Sequence, residues 1–135
     1  MRSYIIGALW TVSIVLICGP TFAASVVETP EWLTVYTGRL PYKDRMLQTS
    51  FSVDRANVEE DSDGIVYLNA LLEAHGVSGI KIGFEYEINC KTQQIRIATQ
   101  KDASTGRVGV VLAGRDKWHE SVFPSEHAMI KYICK

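Results

Sequence analysis

Gly79-Ile80-Lys81-Ile82-Gly83-Phe84-Glu85-Tyr86-Glu87-Ile88-Asn89-Cys90 is the stretch whose reading decides the fold. Ile80, Ile82, Phe84, Tyr86 and Ile88 fall on one face and Lys81, Glu85, Glu87 and Asn89 on the other, the period of two that marks a half-buried antiparallel strand. Cys90 shares the parity of the apolar set, so it ends the strand on the buried side. Lys91 to Gln94 can then turn into Ile95-Arg96-Ile97, which makes a hairpin.

Working outward, the same alternation recurs in Met46 to Asp54, where Leu47, Thr49, Phe51 and Val53 share a face. Trp32 to Tyr36 is rich in β-prone residues and is expected to stop at Gly38 and Pro41. Val108 to Leu112 reads as a further strand, between turns at Asp102 to Gly106 and Gly114 to Lys117. Ile65 to Ala74 is ambiguous: Ile65-Val66-Tyr67 favours strand, whereas Leu68 to Ala74 is built of helix formers. Ser25 to Pro30 is a polar lead-in.

After Pro124 the period changes. Ser125 is placed to cap a helix with Glu126 in its first turn, and Ala128, Met129, Tyr132 and Ile133 form an apolar stripe with Cys134 beside it. A helix of about nine residues does not persist alone in water, so it needs a sheet to lie on and a tether.

Export supplies the condition for that tether. Arg2, the apolar run Ile5 to Cys18 and the small residues Thr21 and Ala23 have the form of a secretory signal, with cleavage expected after Ala23. The run is short for a membrane-spanning helix, which needs about 20 residues. Lipidation at Cys18 is the competing outcome, disfavoured by bulky Ile17 before it. Residues 24–135 then form one domain, periplasmic or secreted, with no membrane span after cleavage. Its two thiols, Cys90 and Cys134, are expected to pair. Loss of Arg2 leaves 13 of the 14 basic side chains against 15 acidic ones, a net charge near −2 that does not attract nucleic acid. The fold class expected is α+β, mainly β: one antiparallel sheet with a short C-terminal helix packed on one face and tethered by a disulfide.

Several elements in order resemble the bacterial surface-adhesin protein E family: Trp32, Phe51-Ser52-Val53-Asp54 before Val58, Gly64-Ile65-Val66, Tyr86 to Cys90 with Ile95-Arg96-Ile97, Thr105-Gly106, and Trp118 with Pro124-Ser125 running to Cys134. The resemblance covers nearly all of residues 24–135. It implies a sheet with a disulfide-held C-terminal helix in a small exported protein; the founding adhesin resembles a lipoprotein that displays binding sites for host matrix and serum proteins. The adhesin's host-binding segments have no counterparts here, so the resemblance implies fold and not ligand.

Residues of chemical interest are few. His75, His119 and His127 are not spaced as metal ligands, although His119 and His127 could meet across Pro124 with Glu120 or Glu126. Asp61-Ser62-Asp63-Gly64 resembles the start of a calcium loop but lacks its distal ligands, and reads as a solvated turn. Ser125 beside His127 reads as a cap before it reads as a nucleophile. Glu85 and Glu87 alternate with Lys81 on a solvated face. We therefore expect no catalytic residues, no metal and no cofactor. A protein partner is expected, met on a surface drawn from Trp32, Tyr36, Tyr42, Trp118 and Phe123, since aromatic side chains dominate binding hot spots. An inhibitor or immunity protein blocking a lysozyme or toxin is the alternative, and would present Gly38 to Arg45 or Gly114 to Lys117 as a protruding loop.

Overall fold

The computed structural model describes residues 28–76 and 80–135. The expected signal segment, its cleavage point and Cys18 lie outside the described residues. β1 (Trp32–Tyr42), β2 (Arg45–Asp54), β3 (Glu59–Glu60), β4 (Ile65–His75), β5 (Lys81–Asn89), β6 (Gln94–Asp102) and β7 (His119–Glu120) precede one helix, α1 (Pro124–Ile133). All pair antiparallel in a single curled sheet of order β1-β2-β4-β5-β6-β7, with β3 on β4. The fold is mainly β, as the alternating runs require.

The ladder aligns the apolar faces across the sheet. Phe51 lies opposite Leu72, Val53 opposite Ala70, Val66 opposite Ile88, Leu68 opposite Tyr86, and Ile88 opposite Ile95. A bulge at Ala98, between the pairs Tyr86–Ile97 and Glu85–Thr99, puts Gln100 rather than Thr99 on the inner face. The outer face carries cross-strand ion pairs: Glu73 with Lys81 at 3.1 Å, and Glu87 with Arg96.

Three local readings are corrected by tertiary context. β1 does not stop at Gly38 and Pro41 but runs to Tyr42. It is an edge strand, so a proline without an N–H can face away from the ladder. Gly38 makes room for the ring of Tyr36, whose hydroxyl oxygen would lie 2.3 Å from a Cβ at that position. Leu68 to Ala74 is strand throughout, because β2 and β3 flank β4 on one side and β5 on the other. Val108 to Leu112 is not a strand: it makes one bridge, Val108 to Lys101. Of its side chains Val111 packs against the core, whereas Val110 is 89% exposed.

β2 and β3 line the same side of β4, separated by a short 3-10 turn at Arg55–Asn57. Buried Asp54 organises this interruption. Its carboxylate accepts from the Glu31 N–H at 2.9 Å, the Ala56 N–H at 3.2 Å and the Asn57 side-chain amide at 2.7 Å. Asn57 in turn exchanges two hydrogen bonds with the Glu28 backbone, so the end of the polar lead-in is pinned to the domain.

Helix α1 begins with Pro124 at its first position, where the missing N–H costs nothing. The cap position is Phe123 and not Ser125, and no side chain bonds there. Glu126 instead reaches back, its Oε2 accepting from the Val122 N–H at 3.1 Å. Met129 and Ile130 are buried against the sheet, with Tyr132 and Ile133 packed at the margin of the core. The helix lies closest to β1 and is tied beyond the end of β5 by the Cys90–Cys134 disulfide, with Cα atoms 5.3 Å apart. The strands from β1 to β5 therefore curl beneath it.

Candidate functional site

Helix and disulfide close only one end of the concave face. There Val53, Ile88, Ile95 and Met129 have no exposed surface. At the other end β1 turns its inner side chains, Tyr36 and Leu40, toward Thr49 and Phe51 of β2, Leu72 of β4, Phe84 and Tyr86 of β5, and Ile97 and Gln100 of β6. These residues, with Leu112, Arg115 and the first residues of α1, enclose a cavity of about 290 Å3. Its wall is an aromatic cluster: the Phe51 and Tyr86 rings meet edge to face at 6.2 Å, and Phe84 lies 5.5 Å from Tyr86. Such pairing stiffens a wall beyond the area it buries.

The polar part of the cavity joins Arg115, from an irregular turn, to Glu126 of α1. Arg115, in the Ala113 to Asp116 turn, receives the Ile97 N–H on its carbonyl at 2.8 Å. That bond holds the turn on β6 and aims the side chain inward, where the guanidinium pairs with Glu126 and lies 4.8 Å from the centre of the Phe123 ring. Glu126 is 1% exposed. Its Oε1 faces the Arg115 guanidinium as an ion pair and its Oε2 accepts from the Val122 N–H, so the buried charge is balanced. Burial pushes the Tyr86 hydroxyl up to about 12, with the nearby Arg115 charge opposing the shift. Tyr86 is therefore a neutral phenol here. Thr49 donates to the Gly38 carbonyl at 3.2 Å.

Of the five aromatic residues expected to form a binding surface, only Tyr36 and Phe123 come together, both on this cavity. Trp32 opposes Asp54 at the start of β1, at the far end from the cavity. Tyr42 sits at the β1–β2 hairpin tip under the Lys43 ammonium, 5.4 Å from the ring centre. Trp118 is on the outer face beneath Arg96, at 4.8 Å. The rim that sequence reading missed is aliphatic: Leu40 and Leu112 stand at the cavity mouth, and Leu112 is 71% exposed. The apolar run Val108 to Leu112 is its only trace in the sequence, and that run reads as a strand.

The candidate chemical groups are dispersed. His119 Nδ1 approaches the Glu120 carbonyl at 2.7 Å, and His75 bonds Ser50 at 3.1 Å. His127 Nδ1 lies 3.4 Å from Ser121 Oγ, longer than a nucleophile–base bond; its neighbour Ser125 lines the cavity instead. Glu85 and Glu87 are separated in role, Glu87 being paired to Arg96. Asp61 closes its turn by accepting from the Ile65 and Asp63 N–H groups at 2.9 Å and from the Tyr67 hydroxyl at 2.9 Å. The Ile65 bond foremost lowers the Asp61 carboxyl below its ordinary range. Among the described residues no group of three or more His, Cys, Asp or Glu is arranged to hold a metal ion, and no helix is long and apolar enough to cross a membrane.

Comparison with known proteins finds no matching family model, no matching curated protein and no matching solved structure.

Proposed function

We propose that the protein is a small exported binding module that contacts host or envelope proteins through the open end of its concave face, without catalysis. The observation that carries this reading is the preformed apolar cavity rimmed by exposed Leu40, Leu112 and Phe123. Apolar side chains of that size at a cavity mouth lose stability nowhere and gain it only when covered. The disulfide suits an oxidising compartment, and the signal-like N-terminal sequence suits export. The resemblance to surface-adhesin protein E points in the same direction.

One feature favours the alternative, an inhibitor of a partner enzyme. The pairs Leu40–Leu47, Pro41–Met46 and Tyr42–Arg45 extend beyond the last β2–β4 pair, Gln48–His75, so the β1–β2 hairpin overhangs the sheet. Met46 near its tip is 57% exposed. The other loop expected to protrude, Gly114 to Lys117, is held down through Arg115.

The two readings separate by co-purification from an envelope extract with partners identified by mass. Wild type is compared with Leu112→Asp at the rim and with a Tyr42→Ser, Met46→Ser hairpin variant. Loss of an envelope or matrix partner in Leu112→Asp alone supports the open end. Loss of a single hydrolase partner in the hairpin variant alone replaces it with the inhibitor reading.

A further inference from the structure

We infer that the cavity at the open end accepts a neutral acyl chain, one joined through an ester or amide, in preference to a free fatty-acid carboxylate. The inference rests on the open end being the binding surface, and it names the chemistry that enters.

Size and shape come first. Ligand cavities commonly span about 300–1,000 Å3, and at about 290 Å3 this one has room for a single narrow apolar group. Phe51, Phe84 and Ile97 of its wall, with Leu40 and Leu112 at the mouth, make most of its lining apolar, and Thr49, Gln100 and Ser125 add polar groups. An apolar chain therefore meets mainly apolar surface between the floor and solvent.

Charge decides which chain. Arg115 is the cationic side chain lining the cavity, and its charge is already balanced by the ion pair with buried Glu126, whose other oxygen accepts from Val122. A guanidinium carries five N–H donors, so Arg115 retains donors for a second acceptor although the site is electrically neutral. A ligand carbonyl can take such a bond at the modest desolvation cost of a neutral group. A carboxylate would bring an unbalanced negative charge beside Glu126, and desolvating it there is far more costly. Complementarity therefore favours an uncharged acceptor on an apolar chain.

The experiment uses protein produced from the full chain and N-phenyl-1-naphthylamine as an uncharged fluorescent reporter at pH 7.5. The reporter is expected to bind wild type, and methyl octanoate to displace it at a concentration at least tenfold below octanoate. Because any apolar cavity favours an ester to some degree, Glu126→Gln supplies the decisive arm. Removing the balancing charge should improve octanoate displacement at least tenfold and leave methyl octanoate within about threefold. A melting curve checks that this variant folds. Should it fail to fold, Leu112→Asp takes its place: a negative charge at the mouth should widen the disadvantage of octanoate by at least threefold. Octanoate displacing as well as the ester from wild type, or showing no response to these charge changes, overturns the neutral-chain inference and leaves the open-end reading standing. Failure of the reporter to bind wild type overturns the neutral-chain inference as well, whereas the open-end reading falls only if Leu112→Asp retains the co-purified partner.

Discussion

The two ends of the concave face are lined by the same kinds of side chain and have opposite fates. At the closed end, Val53, Ile88 and Ile95 are sealed by Met129 and Ile130 of the helix. At the open end, Phe51, Phe84 and Ile97 belong to the same sheet and the same strand faces, yet they border a cavity. Nothing in residue type separates the two sets. The difference is that a ten-residue helix, about 15 Å long at its usual rise, covers only part of the sheet, and its position is set by the bond to Cys90. Stability should therefore be concentrated at one end and binding at the other.

The largest effect is expected from opening the closed end. Cys90→Ser or Cys134→Ser removes a crosslink spanning 44 residues, worth about 4 kcal/mol on the chain-entropy estimate and a fall in melting temperature of roughly 15 °C or more. Thermal unfolding followed by circular dichroism measures it. An unchanged melting curve would mean that the helix holds its place without the tether. Met129→Ala should cost about 3 kcal/mol in urea unfolding, since a fully buried side chain leaves a cavity that its neighbours fill only in part. A loss below about 1 kcal/mol would show the helix to be loosely seated.

Tyr86 lies between the two ends, and its titration reports on both. The folded state holds the phenol protonated up to about 12, whereas an unfolded tyrosine ionises near pH 10. Its contribution is complete below pH 10 and is lost as pH rises from 10 to 12, with about 2 to 3 kcal/mol at stake. Melting temperatures across that range should fall more steeply for wild type than for Tyr86→Phe. Parallel slopes would mean that water reaches the phenol through the cavity. The smallest stability effect belongs to the rim. Leu112→Asp should change unfolding free energy by less than about 0.5 kcal/mol, as is usual for exposed positions, while weakening reporter binding by roughly tenfold.

Much of the sheet was legible because alternation is a strong signal when one face is buried. Leu47 to Val53 and Phe84 to Ile88 read correctly for that reason. Leu68 to Ala74 did not, because leucine, alanine and glutamate favour helix locally, and only pairing with neighbours on both sides holds them extended. Gly38 and Pro41 looked like breakers under local rules that an edge strand relaxes. Val108 to Leu112 is apolar enough for a strand but makes a single bridge and packs only Val111 on the core.

The candidate site was less legible. Tyr36 and Phe123 were visible as large side chains, but Trp32, Tyr42 and Trp118 were equally so, and the curl of the sheet sends them elsewhere. Arg115 and Glu126 carried no signal of partnership, being ordinary charged residues on either side of an irregular connection. Their pairing exists because the Ile97 N–H anchors the turn bearing Arg115, while Pro124 starts the helix that carries Glu126 inward.

By itself, the chain's pattern of apolar and polar residues determined the mainly β class, the buried faces of β2 and β5, and the terminal helix, since periodicity is a local property that the backbone geometry converts directly into a face. Its two late cysteines also determined which ends could be joined. Only the tertiary structure decided how far the helix reaches, which aromatic residues meet and where a buried ion pair forms. Those depend on how a twisted sheet curls and on what a short helix leaves uncovered, and no local pattern encodes either.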